Sequence, residues 1–303
     1  IFAARLKDVI ENSADPVYRN ASTFFENTYP TSGLTTLIND ALGRLVGNAA
    51  GKNAIIRLET GFGGGKTHNL IALYHICKGG VSQPVIQQFT GQAHPAPAPG
   101  SIKVAGVVGS DLDPTIGIYH PEYHLTTFTL WGELAVQLGG KDGYELVKQS
   151  EYTKAAPGAG LLERLVGDQP TLVLIDEIAR HLRSSLATPT ATGQSTLADQ
   201  TIAFLMSLLE YAASRERFLV VLTLAGGSDA FAPETELLRQ KLAETLQISA
   251  RQERVLTPTA EGEIYSIVTH RLFKTVDRAR LADTLVAYRR SEEHTSELQS
   301  PNT

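Results

Sequence analysis

The residues best placed to do chemistry are those of a glycine-rich run, TGFGGGKT, at 60–67. Glycines let a loop adopt positive φ angles and bring several backbone N–H groups close to one anion. A lysine and a hydroxyl residue directly after the glycines can reach the terminal phosphates of a nucleotide and a magnesium ion. The nucleotide-binding residues predicted on this basis are Gly61, Phe62, Gly63, Gly64, Gly65, Lys66, Thr67 and His68.

Within that set, individual roles can be assigned. We expect Lys66 to bind the β- and γ-phosphates and act in catalysis, and Thr67 to be a metal ligand. His68, in the first turn of the following helix, has a purely structural role as its alternative. The run departs from the general pattern G-x-x-x-x-G-K-[S/T] at one position, because Thr60 stands where that pattern has its first glycine.

The context of the run favours a phosphate-binding loop over a glycine turn that precedes Lys-Thr by chance. Asn53–Glu59 has the composition of a strand, and Lys66–Cys77 has the pattern of a helix. The loop therefore opens directly onto a helix N-terminus, whose dipole attracts phosphate.

Two acids after an apolar run form the second candidate group. Asp176 and Glu177 follow TLVLI, at the carboxyl end of a predicted strand, where open α/β sheets bind ligands. We expect Asp176 to hold Mg²⁺ together with Thr67, and Glu177 to polarise the attacking water in phosphoryl transfer. Taken alone, the motif also fits a pair of acids at a helix start.

Two more residues are candidates for the same chemistry. Thr223 lies near the end of the apolar run 218–224, where P-loop ATPases place a polar residue against the γ-phosphate or the attacking water; a hydroxyl bonded to the backbone beside its strand is the alternative. Arg251, with Arg254 as the weaker choice, has the chemistry of an arginine finger for a neighbouring subunit. Most arginines, however, are solvated or paired at the surface.

The elements that must position these residues alternate between strand and helix. The continuous apolar runs at 171–175 and 218–224 fit strands buried on both faces, and the helix Asp199–Ser214 lies between them. This order predicts βαβ units and an α/β fold with a mostly parallel sheet flanked by helices. The other predicted elements are helices at Thr35–Val46, Phe128–Leu138 and Leu161–Val166, a strand at Ile102–Gly109, and loops at Gly91–Gly100 and Ser184–Ser195.

The 303 residues divide into four predicted segments. We expect a helical lead-in at 1–52, a nucleotide-binding core at 53–257 and the start of a helical lid at 258–289. The string RSEEHTSELQS within 290–303 matches the translation of a common sequencing adapter, so that segment is expected to be an artefact. Because the chain starts at Ile1 and has Met206 as its only methionine, we expect an internal fragment of a longer protein.

The composition excludes several classes of protein. A single cysteine, Cys77, excludes an internal disulfide framework and a cysteine-rich zinc site. No apolar run approaches the roughly 18 to 20 residues of a membrane-spanning helix. A formal net charge of −5 offers no overall basic surface for nucleic acid. These features predict a globular cytoplasmic protein.

Five segments of the sequence resemble, in type and in order, those of a known group of proteins. They are FFENTYPTSGL, RLETGFGGGKTHNLIALYH, LWGELAVQL, LVLIDEIARHLR and RLF. The chain is similar, over about 24–274, to the predicted AAA-type P-loop ATPases of bacteria and archaea. That group was long classed as a domain of unknown function. Its members are often encoded beside DNA methyltransferases and helicases, and some belong to phage-defence systems. A threonine at the position of Thr60 is typical of that group.

The resemblance implies an AAA-type P-loop NTPase fold with ATP and Mg²⁺ as ligands. Motifs and resemblance together predict an Mg-dependent ATPase that drives a larger DNA-related or phage-defence complex. A homo-oligomer is expected, with DNA-modifying or defence-system proteins as partners, and binding to DNA itself stays open.

Two functions other than ATP hydrolysis are also compatible with these motifs. A nucleotide-regulated switch or scaffold that binds ATP with negligible hydrolysis is the main alternative, and the presence of Glu177 favours the enzyme over it. A P-loop kinase is weaker, because the segment 272–280 carries only two arginines where an arginine-rich lid is expected. No Asn-Lys-x-Asp guanine-reading motif is present, which favours ATP over GTP.

Overall fold

In the computed structural model, the residues described are 4–47, 52–60, 64–158, 160–225, 231–246 and 253–273. The strands among these residues are β1 (Ile55–Thr60), β2 (Lys103–Val108), β3 (Ile118–His120), β4 (Leu125–Thr127), β5 (Thr171–Asp176), β6 (Phe218–Ala225) and β7 (Glu253–Leu256). Five of them form one parallel sheet in the order β2-β5-β6-β1-β7, and β3 and β4 pair as an antiparallel hairpin. The predicted α/β class, with a parallel sheet flanked by helices, is confirmed.

Helices cover both faces of the sheet. They are α1 (Leu6–Ile10), α2 (Pro16–Arg19), α3 (Ala21–Glu26), α4 (Ser32–Leu45), α5 (Lys66–Cys77), α6 (Gln83–Thr90), α7 (Leu130–Thr153), α8 (Gly160–Val166), α9 (Ile178–Ser185), α10 (Leu197–Ser214), α11 (Ala232–Leu246) and α12 (Ile264–Leu272). Within the described part of the chain, none of them has the length and apolar character needed to cross a membrane.

Each face of the sheet has its own hydrophobic core. Val173 and Ile175 of β5 pack with α7, α8 and α10, where Trp131 is fully buried. Leu172 and Leu174 point to the opposite face and pack with α1, α4 and α5. All six residues of β5 are buried, which explains why its sequence is continuously apolar instead of alternating.

The strongest sequence patterns correspond to observed elements. β1, β5, β6, α4, α5 and α10 lie within three residues of their predicted bounds. The predicted loop Gly91–Gly100 contains neither helix nor strand. α7 extends to Thr153, well beyond the predicted end at Leu138. Its backbone is non-helical at Gly140 (φ 60°, ψ −145°), close to that predicted end, and the helix resumes after this residue.

Other elements were not predicted, chiefly α6, α9, α11, β7 and the β3–β4 hairpin. The predicted segment boundaries at 52/53 and 257/258 stay predictions. The helices α1 and α4 of the lead-in nonetheless contribute Leu6, Leu37 and Leu42 to the core beneath the sheet. The predicted artefact at 290–303 lies outside the described residues.

The hairpin is held to α7 by a largely buried ion pair. His120 Nε2 lies 2.9 Å from Glu133 Oε2, which also accepts a 2.6 Å hydrogen bond from the Thr127 hydroxyl. Burial alone lowers the pKa of His120, but the hydrogen bond and charge of Glu133 outweigh burial and leave that pKa raised. Burial alone raises the pKa of Glu133, but hydrogen bonds from His120 and Thr127 leave it lowered.

We expect His120→Gln to lower the free energy of unfolding in a pH-dependent way. The raised pKa of His120 gives stability that is complete below its ordinary value of 6.5 and is lost as pH rises through the folded-state pKa. The lowered pKa of Glu133 gives stability that is complete above 4.5 and is lost as pH falls through its folded-state pKa. The loss should therefore be about 1–3 kcal/mol at pH 5.5 and clearly smaller at pH 9, measured by urea unfolding.

His124→Asn is the matched control, because His124 lies in the same hairpin with only a long 3.4 Å contact to the Tyr119 hydroxyl. Asparagine also tolerates the left-handed backbone at that position (φ 53°). An equal loss of stability at both pH values in the His120 variant would contradict the ion-pair interpretation.

Candidate active site

Three polar residues meet at the carboxyl edge of the sheet, where β1, β6 and β5 end side by side. The Thr67 hydroxyl, in the first turn of α5, donates a 2.7 Å hydrogen bond to Asp176 Oδ2. The Thr223 hydroxyl of β6 donates a 2.6 Å hydrogen bond to Asp176 Oδ1. Asp176 and Thr223 are each 2% exposed. Both carboxylate oxygens of Asp176 are thus bonded to residues that the sequence had singled out separately.

Glu177 is joined to this group through its backbone. Its N–H donates a 3.2 Å hydrogen bond to the Thr223 hydroxyl oxygen. Its backbone is left-handed (φ 51°, ψ 33°), a conformation that costs a non-glycine residue about 1 kcal/mol. Its side chain is 40% exposed and lies 3.4 Å from Arg180 Nε, measured from Oε2. The Glu177 carboxylate is therefore accessible to water, although it lies beside the buried residues Asp176 and Thr223.

The described part of the glycine run lies at the start of α5. Gly65 is left-handed (φ 79°) and occupies the position before the first helical residue. Thr31, Thr129 and Thr196 cap the first turns of α4, α7 and α10 with their side chains. Gly65 has no side chain to offer, so the N-terminus of α5 presents its amides uncapped. Such a helix start favours an anion.

The threonine at position 60 is accommodated by the glycine at position 64. A Cβ added to Gly64 would lie 2.3 Å from both Oγ1 and Cγ2 of Thr60, so only glycine fits there. Lys66 Nζ donates a 2.9 Å hydrogen bond to the Thr60 carbonyl oxygen. The lysine is thus folded over the end of β1. Gly61, Phe62 and Gly63 lie outside the described residues.

His68 faces the N-terminal segment of the chain. Its ring lies on Phe24, with 4.5 Å between ring centroids, and its Nε2 is 2.9 Å from the Thr28 hydroxyl. That hydroxyl donates to the Phe24 carbonyl oxygen, so it accepts a hydrogen bond from His68 Nε2–H. Burial, and then the charge of Arg271, lower the pKa of His68 to about 3. These contacts favour the structural role; nucleotide binding by His68 stays a prediction.

Of the two arginine candidates, Arg254 lies among the described residues and Arg251 does not. Arg251 lies outside the described residues, so its predicted role stays a prediction. Arg254, the weaker candidate, lies on β7 and pairs with Asp40 of α4, with 2.7 Å between Nη1 and Oδ2.

Sequence reasoning missed two residues beside the site. Arg180 of α9 pairs with Glu177, the residue directly before that helix, and the three-residue spacing between them was the available signal. Gly109 directly follows β2 and touches the peptide after Glu177. A glycine at the end of an apolar strand was its signal, because such a glycine often marks a close approach of another backbone.

We expect Gly64→Ala to destabilise the protein by about 1–3 kcal/mol, the usual cost of forcing an added methyl into a filled space. Thr60→Gly in the same chain removes the side chain that the methyl meets and should restore most of the loss. Thermal and urea unfolding measure both effects. Gly262→Ala is the control, since no atom lies within 4 Å of a Cβ added there. A Gly64→Ala protein as stable as the parent would contradict the close packing of Thr60.

Comparison with known proteins places the chain in a sequence family. A family model described as the DUF499 N-terminal domain matches residues 2–91 and 104–253. The matched blocks contain Thr67, Asp176, Glu177 and Thr223, and the gap between them falls mostly in the predicted loop Gly91–Gly100. No curated protein matches the chain. Since the family model covers well over half of the sequence, the chain belongs to the DUF499 N-terminal domain family.

Proposed function

We propose that this chain is an Mg-dependent ATPase of the AAA-type P-loop class. The observation that carries the proposal is the hydrogen-bonded group Thr67–Asp176–Thr223, which joins the helix after a glycine loop to a buried acid at the carboxyl edge of a parallel sheet. A loop for phosphate, a hydroxyl and a carboxylate for a metal, and a second carboxylate for water are the parts that nucleotide hydrolysis requires.

Phosphate binding is assigned to the start of α5. The uncapped amides of this helix and the positive end of its dipole attract the negative charge of ATP. Lys66 supplies a mobile cation on a flexible stem. The Thr60 carbonyl, a neutral oxygen, is one acceptor of its ammonium group. A phosphate oxygen forms a stronger, charge-assisted hydrogen bond, so a bound phosphate would compete favourably for this ammonium.

The donor set beside the loop fits magnesium. Mg²⁺ prefers oxygen ligands, retains several waters and is usually held by one or two carboxylates together with substrate phosphates. The Thr67 hydroxyl and the Asp176 carboxylate are oxygen donors already in contact at 2.7 Å. Mg²⁺ bound by these two residues would neutralise charge on the β- and γ-phosphates.

Glu177 is assigned the general-base role. In the proposed reaction, a water oxygen bonds to the γ-phosphorus, the bond from that phosphorus to the β–γ bridging oxygen breaks, and the water proton passes to the Glu177 carboxylate. ADP and inorganic phosphate are the products. The half-exposed side chain of Glu177 has access to water, in contrast to buried Asp176.

Thr223 is assigned a positioning role within this mechanism. β6 lies between the loop strand β1 and the acidic strand β5. The Thr223 hydroxyl donates to Asp176 and accepts from the Glu177 N–H, so it links the metal-binding acid to the backbone of the base. With its proton donated to Asp176, the hydroxyl has one oxygen lone pair left for a further contact. A contact with the γ-phosphate or attacking water remains part of the proposal.

One contact favours the alternative, a nucleotide-regulated switch with negligible hydrolysis. Arg180 Nε lies 3.4 Å from the Glu177 carboxylate and its guanidinium sits 5.3 Å from the centre of the Phe231 ring. A base paired with a cation is less available to water. Exposed pairs of this kind contribute only about 0–1 kcal/mol, however, so the pairing is easily broken. We therefore place hydrolysis first.

Assembly and partners follow only from the resemblance to AAA-type ATPases. We include in the proposal a homo-oligomer, with Arg251 as a candidate arginine finger, acting within a complex of DNA-modifying or phage-defence proteins in the cytoplasm. Whether DNA stimulates turnover is tested with the same enzyme assay.

We expect ATP turnover by the wild-type protein and its loss in two variants. Lys66→Ala should weaken Mg-ATP binding, because the phosphate cation is removed. Glu177→Gln should keep binding but lower kcat by about 10²–10⁴-fold, the usual contribution of a general base. Binding is measured with a fluorescent ATP analogue, and turnover by phosphate release with and without duplex DNA.

Lys78→Ala is the matched control for the lysine, because Lys78 is exposed at the opposite end of α5. Glu122→Gln serves for the carboxylate, since its side chain is 56% exposed in the hairpin. A wild-type protein that binds Mg-ATP but turns over no faster than Glu177→Gln would support the switch. Failure to bind Mg-ATP at all would reject both functions.

A further inference from the structure

Gly109, directly after β2, is in close contact with the backbone of Glu177. Its N–H donates a 2.7 Å hydrogen bond to the Asp176 carbonyl oxygen at the end of the neighbouring strand β5. A Cβ added to Gly109 would lie 2.3 Å from the Glu177 carbonyl oxygen and 2.7 Å from Ile178 Cα. The peptide between Glu177 and Ile178 therefore lies across the Gly109 Cα, and a side chain at position 109 has no room.

The segment that carries Gly109 is held on several sides. The N–H groups of Asp111 and Leu112 donate to the Val108 carbonyl oxygen at 3.0 and 3.2 Å. His181 of α9 is fully buried, and its Nδ1 lies 2.8 Å from the Leu112 carbonyl oxygen. Arg5, directly before α1, pairs with Asp111 at 2.6 Å. A retreat of this segment from a clash would strain its bonds to Asp176, His181 and Arg5.

Glu177 is the partner that can yield. It holds a left-handed conformation at an energetic cost, its side chain is 40% exposed, and its N–H bond to Thr223 is a moderate 3.2 Å. A methyl group at position 109 would thus be relieved by a shift of the Glu177–Ile178 peptide. The Thr67–Asp176 hydrogen bond lies on the other side of β5 from β2 and does not involve that peptide.

We propose that Gly109 is a positioning residue for Glu177, and the proposal rests on the ATPase function proposed above. The missing side chain at position 109 lets the Glu177 backbone stay left-handed, and this sets where its carboxylate leaves the chain. Gly109 acts through Glu177 alone. It has no part in binding phosphate or magnesium.

The experiment combines Gly109→Ala with Glu177→Gln in a double-mutant cycle. Gly109→Ala should leave the affinity for a fluorescent Mg-ATP analogue within threefold of wild type and KM nearly unchanged, while kcat falls at least 30-fold. In the Glu177→Gln background the same alanine should change kcat by less than twofold, because the base that it displaces is already disabled. Gly160→Ala, where no atom lies within 4 Å of an added Cβ, is the control.

Turnover by Gly109→Ala within twofold of wild type would overturn the proposal. So would a proportional loss of binding and turnover, or a further loss in the Glu177→Gln background, since either shows a general structural role. Amide hydrogen exchange gives a readout that needs no turnover: Gly109→Ala should speed exchange in the peptide spanning 174–182 but not in α5. If Gly109→Ala leaves exchange at 174–182 unchanged, the positioning role is overturned, whether or not the wild-type protein is active. If Gly109→Ala speeds that exchange but the wild-type protein does not hydrolyse ATP, the ATPase function alone is rejected.

Discussion

The site depends on one buried carboxylate and the two hydroxyls that satisfy it. A carboxylate that is 2% exposed is costly unless it is hydrogen-bonded, and Asp176 receives one bond from Thr67 and one from Thr223. These bonds connect α5, β5 and β6, three elements that are distant in sequence. Asp176, the proposed metal ligand, thus also fixes the start of α5, which follows the glycine run, against the sheet.

Two features beside Asp176 depart from the usual conformations of helix starts and strand ends. The start of α5 has no side-chain cap, whereas three other long helices are capped by threonine. Glu177 has a left-handed backbone at the point where a strand turns into a helix. Such departures are costly, and they concentrate where a site needs free amides or an unusual side-chain direction. Here both lie at the same edge of the sheet.

The packing around Glu177 links the proposed base to both neighbouring strands. Thr223 on β6 receives its N–H, and Gly109 after β2 leaves room for its carbonyl oxygen. β5 lies between those strands, so the turn after Asp176 is bounded on each side by an adjacent strand end. The parallel sheet thus holds Asp176 and Glu177, the proposed metal ligand and the proposed base, through uncharged residues of the two neighbouring strands.

The sequence by itself determined the class of fold and singled out most residues of the candidate site, because those signals are local. Continuous apolar runs report strands buried on both faces, and glycines followed by Lys66 and Thr67 report a loop that opens a helix. The hairpin and β7 were missed because three- and four-residue strands are too short for a periodic pattern. Only the tertiary structure decided that Thr223 bonds Asp176, that Thr60 requires Gly64, and that Gly109 faces Glu177. The Thr223–Asp176 and Gly109–Glu177 contacts join residues whose distance in space is set by strand order and register, which no local pattern encodes. The Thr60–Gly64 contact lies within one short stretch of chain, but it depends on a backbone path that the residue types alone do not specify.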